Sequence, residues 1–175
     1  MPMGDRTMRS FHVAVAAEAF AAGLLARAGC DVLVQYGANQ PEYDLVATKG
    51  DRFLKVSVKG SQSGGWGLIQ SYKRGYSYHE AIERWVIAQS PHVIYCFVQF
   101  FDVPFDACPR VYLATVDEVA QALKVARGGL GSTILYENYM YSRGVARSFR
   151  DSVPSTWAFT VDRVDELLVA AHSST

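Results

Sequence analysis

Residues Tyr43–Gln62, YDLVATKGDRFLKVSVKGSQ, decide how the chain is read. Two apolar, β-branched runs flank Lys49-Gly50-Asp51, a turn by composition. Tyr43–Thr48 is the first expected strand of this pair and Phe53–Lys59 the second. Side chains alternate along a strand. Leu54, Val56 and Val58 therefore go to one face, and Phe53, Lys55, Ser57 and Lys59 to the other. One face packs on a core while the other carries polar groups. Asp44 stands near the start of the first strand and Lys59 near the end of the second. Neighbouring strands lie about 4.8 Å apart, so the two charged groups share one pocket if the strands pair. The plain alternative is that Asp44 ends a turn and Lys59 is a solvated strand residue.

Upstream, Thr7–Ala28 reads as a helix rich in Ala and Leu, with Gly29 as its stop. At 100° per residue, Phe11, Ala14, Val15, Ala21, Ala22 and Leu25 fall on one arc, with Glu18 inside it. A carboxylate on a core-facing arc is costly unless it is paired or bound to a cation. Glu18 is expected either to meet an arginine, such as Arg27, or to face a metal. Asp31–Tyr36 (DVLVQY) is a strand by its β-branched content, and residues 37–41 (GANQP) are a turn.

Downstream, residues 60–75 form a Gly- and Ser-rich loop carrying Trp66 and Tyr72. A loop of this length is usually functional or disordered. Ser77 and Glu80 fit a capping box that opens a helix ending before Ser90-Pro91. His92–Phe101 (HVIYCFVQFF) is a nearly continuous apolar run, expected as a central strand buried on both faces. Arg110–Val116 is a further strand, and Thr115 and Glu118 cap a helix that stops at Gly128-Gly129. Residues 132–154 are less regular, and a last amphipathic helix carries Val161, Val164, Leu167, Leu168 and Ala171 on one side. The order α-β-β-β-α-β-β-α, then a tail with a helix, argues for an α/β sandwich.

The chain has 175 residues, half of them apolar, enough for one domain with a well-formed core. Lys plus Arg equals Asp plus Glu at 17 each, so net charge gives no global reason to expect a nucleic-acid or membrane partner. The three cysteines, Cys30, Cys96 and Cys108, are far apart and lack metal-ligand spacing. With no leader-like start and no run of the ~20 apolar residues a membrane span needs, the expectation is a soluble, cytoplasmic protein. One domain is expected over 1–175, with a core at about 7–126 and a C-terminal extension at 127–175.

Helix-Glu, strand, strand-Asp, then a strand ending in x-V-K resembles the PD-(D/E)xK nuclease superfamily. The likeness is nearest to its small members akin to archaeal Holliday-junction resolvases and to intron- or phage-associated endonucleases. It covers roughly Phe11–Ser61 and rests on Glu18, on Asn39–Ala47 (NQPEYDLVA) and on Lys55–Ser61 (KVSVKGS). The resemblance implies a restriction-endonuclease-like mixed sheet flanked by helices, in αβββαβ order. It implies a metal-dependent deoxyribonuclease, hydrolysing DNA phosphodiesters with Mg2+ (or Mn2+). Asp44 and Glu18 would hold the metal, and Lys59 would be the catalytic lysine beside Asp44. Dimers are common among resolvase-like members, so a homodimer is expected on the same ground.

One departure stands out. Two residues before the lysine the family carries Glu or Asp, sometimes Gln, and here that residue is Ser57. Three accounts are open. Glu18 or Glu42 fills the gap, or Ser57 and a water suffice for a weakly held ion, or the fold is catalytically degenerate and binds nucleic acid or a protein partner. An orphan scaffold without metal or DNA binding is a further reading. Ser57, Gln62, Lys55, Lys73 and Arg74 are candidate substrate contacts, since a basic and aromatic mix suits phosphates and unstacked bases. Residues 136–150 have the same character, or else form a partly packed segment with its arginines in water. His79 is a further candidate for phosphate contact, and His12, His92 and His172 read as isolated structural residues.

Overall fold

A computed structural model describes residues 7–34 and 43–172. The expected turn at 37–41, the end of the first strand and Glu42 lie outside the described residues. Helix α1 (Ser10–Arg27) leads into strands β1 (Asp31–Val34), β2 (Leu45–Lys49) and β3 (Arg52–Ser61). A short strand β4 (Gly65–Gly67) and helix α2 (Tyr78–Ile87) follow, then β5 (Val93–Gln99), β6 (Arg110–Thr115) and α3 (Val116–Gly129). The C-terminal part contains β7 (Ile134–Tyr136), β8 (Asn138–Met140), β9 (Arg150–Ser152) and α4 (Val161–Ala170). The fold is mixed α/β, with a five-stranded sheet in the order β1-β2-β3-β5-β6 flanked by helices.

β1, β2 and β3 form an antiparallel meander, whereas β3 and β5 run parallel and β5 and β6 antiparallel. A parallel neighbour requires a crossover rather than a hairpin. Residues 62–92 supply it through β4, a 3-10 turn at Gln70–Tyr72 and α2. The expected irregular loop is therefore partly ordered structure. Trp66 and Ile69 are buried in it because they plug the sheet face beside Phe97. All seven residues of β5 are buried, as a strand covered on both faces requires.

The sheet separates two cores. On one side α1 and α4 cover Leu54, Val56, Val58, Ile94, Cys96 and Val98. On the other, α2, α3 and β4 cover Val93, Tyr95, Phe97 and Ala114. Alternation along β3 follows the expected pattern, but its second face is not simply solvated. Ser57 is only 3% exposed.

α1 meets the sheet with a different stripe from the expected one. Val13, Ala17, Ala21 and Leu25 are buried, while Phe11 is 71% and Val15 50% exposed. At 100° per residue the buried stripe lies roughly a quarter turn from the expected arc. The helix is apolar on every side, so hydrophobicity alone does not fix its rotation. By length and composition α1 is also apolar enough to cross a membrane, yet its inner stripe belongs to the sheet's core. What fixes its seat is Gly60. A Cβ at Gly60 would lie 2.8 Å from Val13 Cγ1 and 2.9 Å from both Ala17 Cβ and the Val13 carbonyl oxygen.

The remaining helices are capped as their sequences require. Ser77 with Glu80 and Thr115 with Glu118 form complete capping boxes. α3 loses helical geometry at Ala126, Arg127 and Gly128, where Arg127 takes φ 57°. The C-terminal extension is stitched to the core at several places, among them these. β7 pairs with β4. Arg110 makes a two-pronged ion pair to Glu137 at 2.7 and 2.8 Å. The buried Arg163 of α4 bonds Glu118 and the Leu113 carbonyl.

Two glycine substitutions test this packing with opposite signs. Gly60→Ala drives a methyl into α1 and is expected to destabilise by about 1–3 kcal/mol, lowering the melting temperature by several degrees. Gly23→Ala lies mid-helix with no atom within 4 Å of the added Cβ and is expected to stabilise by about 0.5–1 kcal/mol. Thermal denaturation of both variants measures the pair. A neutral Gly60→Ala would refute the close seat of α1 on β3.

Candidate functional site

β2 leaves β3 before β3 ends. The ladder runs from Lys49↔Arg52 to Leu45↔Val56, and β3 continues to Ser61 with β5 as its only ladder partner among the described residues. Without its neighbour, the Val58 N–H would lose its acceptor, and an unpaired buried amide is costly. Asp44 replaces that acceptor. Its own N–H donates to the Val56 carbonyl at 2.9 Å, and its Oδ2 accepts from the Val58 N–H at 2.6 Å. A carboxylate bonded to an amide is a charge-assisted bond, stronger than the neutral one it replaces. Extending the β2–β3 register by one residue places Asp44 opposite Ser57.

Glu18 comes to the same place from α1. It follows Ala17, which touches Gly60, and Gly60 follows Lys59. The Glu18 carboxyl is held above its ordinary value, first by burial and then by the charge of Asp44, while Lys59 pulls it down. Glu18, Asp44 and Lys59 are thus one electrostatic group, drawn from a helix and two strands. Glu18 makes no ion pair among the described residues, so the expected partnership with Arg27 is not formed. Two carboxylates against one ammonium leave a local excess of negative charge.

The other expected contacts are distributed differently. Lys55 lies over the Tyr43 ring, 5.4 Å from its centroid. Gln62 spends both ends of its amide on the chain before α1, accepting from the Met8 N–H at 2.9 Å and donating to the Met8 carbonyl at 2.5 Å. It clamps the approach to α1. Lys73 donates to the Tyr76 carbonyl and lies 4.7 Å from the centre of the Tyr78 ring. Arg74 is exposed beside it. Lys73 therefore belongs to a second, aromatic cluster. His79 bonds the Gly129 carbonyl oxygen. His92 and His172 are not isolated, since both rings lie within 6 Å of Phe53. Cys30, Cys96 and Cys108 are free thiols.

A polar network that the sequence does not announce ties the sheet edge to the extension. Glu137 accepts from Arg110 and from the Tyr112 hydroxyl at 2.7 Å. Burial works to raise the Glu137 carboxyl, but these bonds outweigh it and hold it below its ordinary value. The Tyr112 hydroxyl is pushed up to about 12, by burial first and then by Glu137. The only signal in the sequence is the alternation that puts Arg110 and Tyr112 on one face of a strand. Their partner lies 25 residues or more away in sequence. No protein-family model matches the chain, and no curated protein matches it either.

The Glu18 environment has a pH signature. Its carboxyl is raised on folding, so its contribution to stability is fully present below the ordinary value of 4.5 and is lost as pH rises through the raised folded value. Glu18→Gln cannot ionise. It is expected to melt with the wild type in acid and above it near neutrality. Melting curves across this range provide the measurement, and a pH-independent offset would contradict the shared site.

Proposed function

We propose that the chain is a restriction-endonuclease-like domain acting as a Mg2+-dependent DNA nuclease. The observation that carries this reading is the electrostatic coupling of the Glu18 carboxyl to Asp44 and Lys59, with Asp44 fixed on the Val58 amide where β2 parts from β3. The meander β1-β2-β3 with β5 parallel to β3 supports it, because that topology puts Asp44 opposite Ser57 and two residues from the level of Lys59.

The donor set fits a hard cation. Mg2+ is commonly held by one or two carboxylates, with waters and substrate phosphates completing its shell. Asp44 has one oxygen committed to Val58, and Glu18 sits beside it in a partly desolvated, negatively charged place. These two residues would hold the ion. The chemistry a bound Mg2+ supplies is neutralisation of phosphate charge and activation of water. Lys59 would supply an ammonium to the negative charge that develops on the phosphate. Ser57 offers a neutral hydroxyl where a third acid would stand.

A second reading is favoured by Ser57 itself. It is a buried neutral residue, and no group of three His, Cys, Asp or Glu side chains suited to a metal occurs among the described residues. On this reading the domain is a degenerate nuclease fold that binds nucleic acid or a protein partner.

Incubation of the purified protein with Mg2+ or Mn2+ and linear, circular or branched DNA separates the two. Cleavage is expected on the first reading, with Asp44→Ala and Lys59→Ala each lowering the rate about 100-fold or more. DNA left uncut, or cut equally by both variants, sinks it. The second reading expects no heat of Mg2+ binding in titration calorimetry and DNA binding that weakens steeply with salt.

A further inference from the structure

A separate cavity of about 360 Å3 opens where α2, the end of α3 and the C-terminal extension meet. It falls in the size range of small-ligand clefts, about 300–1,000 Å3. Its walls combine three tyrosines, Tyr78, Tyr136 and Tyr141, with two arginines, Arg127 and Arg143. We propose that this cavity takes an unpaired nucleotide of a single-stranded nucleic-acid segment, its base against the tyrosines and its phosphate against the arginines. The proposal deepens the nucleic-acid reading and rests on it for the ligand class, but it stands on different residues from the Glu18–Asp44–Lys59 group.

The cavity is built from fixed parts. Asp151 accepts from the Arg127 N–H at 2.9 Å with one oxygen and from the Tyr141 hydroxyl at 2.8 Å with the other. The first bond holds Arg127 in its left-handed conformation at the end of α3, and the second fixes the Tyr141 ring. Tyr136 stacks on Tyr139 at 4.4 Å and meets Tyr141 edge-on at 6.3 Å. Its ring also presses on Gly65, where a Cβ would come within 2.8 Å. Tyr78 has two cations near its ring, Lys73 at 4.7 Å and Arg127 at 5.1 Å from the centroid.

Among the described residues neither guanidinium of this wall, Arg127 or Arg143, makes an ion pair. Asp151 hydrogen-bonds the Arg127 amide and the Tyr141 phenol. Unpaired guanidinium groups beside rigid aromatic rings match a phosphate next to a planar base, and stacking accepts any base because each has a π-face. A duplex keeps its bases stacked inside, so the rings select an unpaired segment.

Chain geometry also puts the cavity within reach of the first site. Gly65 is six residues after Lys59, which bounds their separation at about 20 Å. That is about six nucleotides stacked at 3.4 Å each. One short strand can therefore occupy both.

The test is fluorescence anisotropy of a labelled dT12 with the full chain, in EDTA so that cleavage does not interfere. An rU12 arm compares RNA with DNA, and a 12-residue abasic oligomer keeps the phosphates without bases. The expected result is that dT12 binds and the abasic oligomer binds at least fivefold more weakly, the lower end of what one base stack contributes. Arg143→Ala, at an exposed position, is expected to weaken dT12 binding roughly fivefold and to reduce the salt slope by about 0.7. Its melting temperature should stay at the wild-type value. Absence of dT12 binding, equal binding of the abasic oligomer, or an unaffected Arg143→Ala each overturns the proposal. A protein that fails to cleave DNA but passes this test loses only the nuclease reading.

Discussion

The close approach of α1 to the end of β3 is the constraint on which the rest depends. It requires a residue without a side chain at position 60 and a small one at position 17. Any larger pair would push the helix outward. The neighbours of this contact in sequence are Glu18 and Lys59, so a packing requirement in the core becomes a placement rule for charge. The helix cannot be seated without delivering its carboxylate toward the lysine. This also explains why Glu18 is only partly desolvated: it lies next to the buried stripe and outside its centre.

A second constraint comes from the early departure of β2. Strand ends ordinarily hand their unpaired amides to water or to a turn. Here the amide of Val58 is answered by a charged side chain, and the bond fixes one oxygen of Asp44 while leaving the carboxylate charge beside Glu18. A carboxylate held beside a second one is an arrangement that pure stability would not favour, because the charge of Asp44 raises the cost of ionising Glu18. Such local conflict is more often kept for function than for folding. Ser57, opposite Asp44 by register, is neutral and buried, so the second carboxylate of this group comes from the helix.

The strand pair and its partner β5 were legible because their signals are local. Alternation fixes the faces of β3, a continuous apolar run fixes β5, and the two capping boxes fix where α2 and α3 begin. The rotation of α1 was not legible, since alanine and leucine on all sides carry no phase. The identity of the buried stripe is decided by Gly60, 43 residues beyond Ala17, through tertiary contact. Glu18 was recognised for a reason only partly right. It borders the buried stripe and does not sit at the centre of an apolar arc. The engagement of Gln62 is hidden for a similar reason: nothing local shows that its amide is taken by the backbone of Met8. The order within residues 60–75 was hidden because a three-residue strand needs its partner, β7, to exist at all.

That pairing of β4 with β7 gives the extension a meaning beyond packing. Gly65 lets β7 lie close, and the closeness is what presses Tyr136 against the chain leaving β3. Arg110 and Tyr112 then lock Glu137, the next residue, to the sheet edge. The tyrosine wall is thereby held rigid from both sides, by the sheet through Glu137 and by α3 through Asp151. A segment that only covered apolar surface would not need two such anchors, nor would it leave its arginines without carboxylate partners. The same strand that carries Lys59 thus continues, through a glycine-lined turn, into the support of a second basic and aromatic surface.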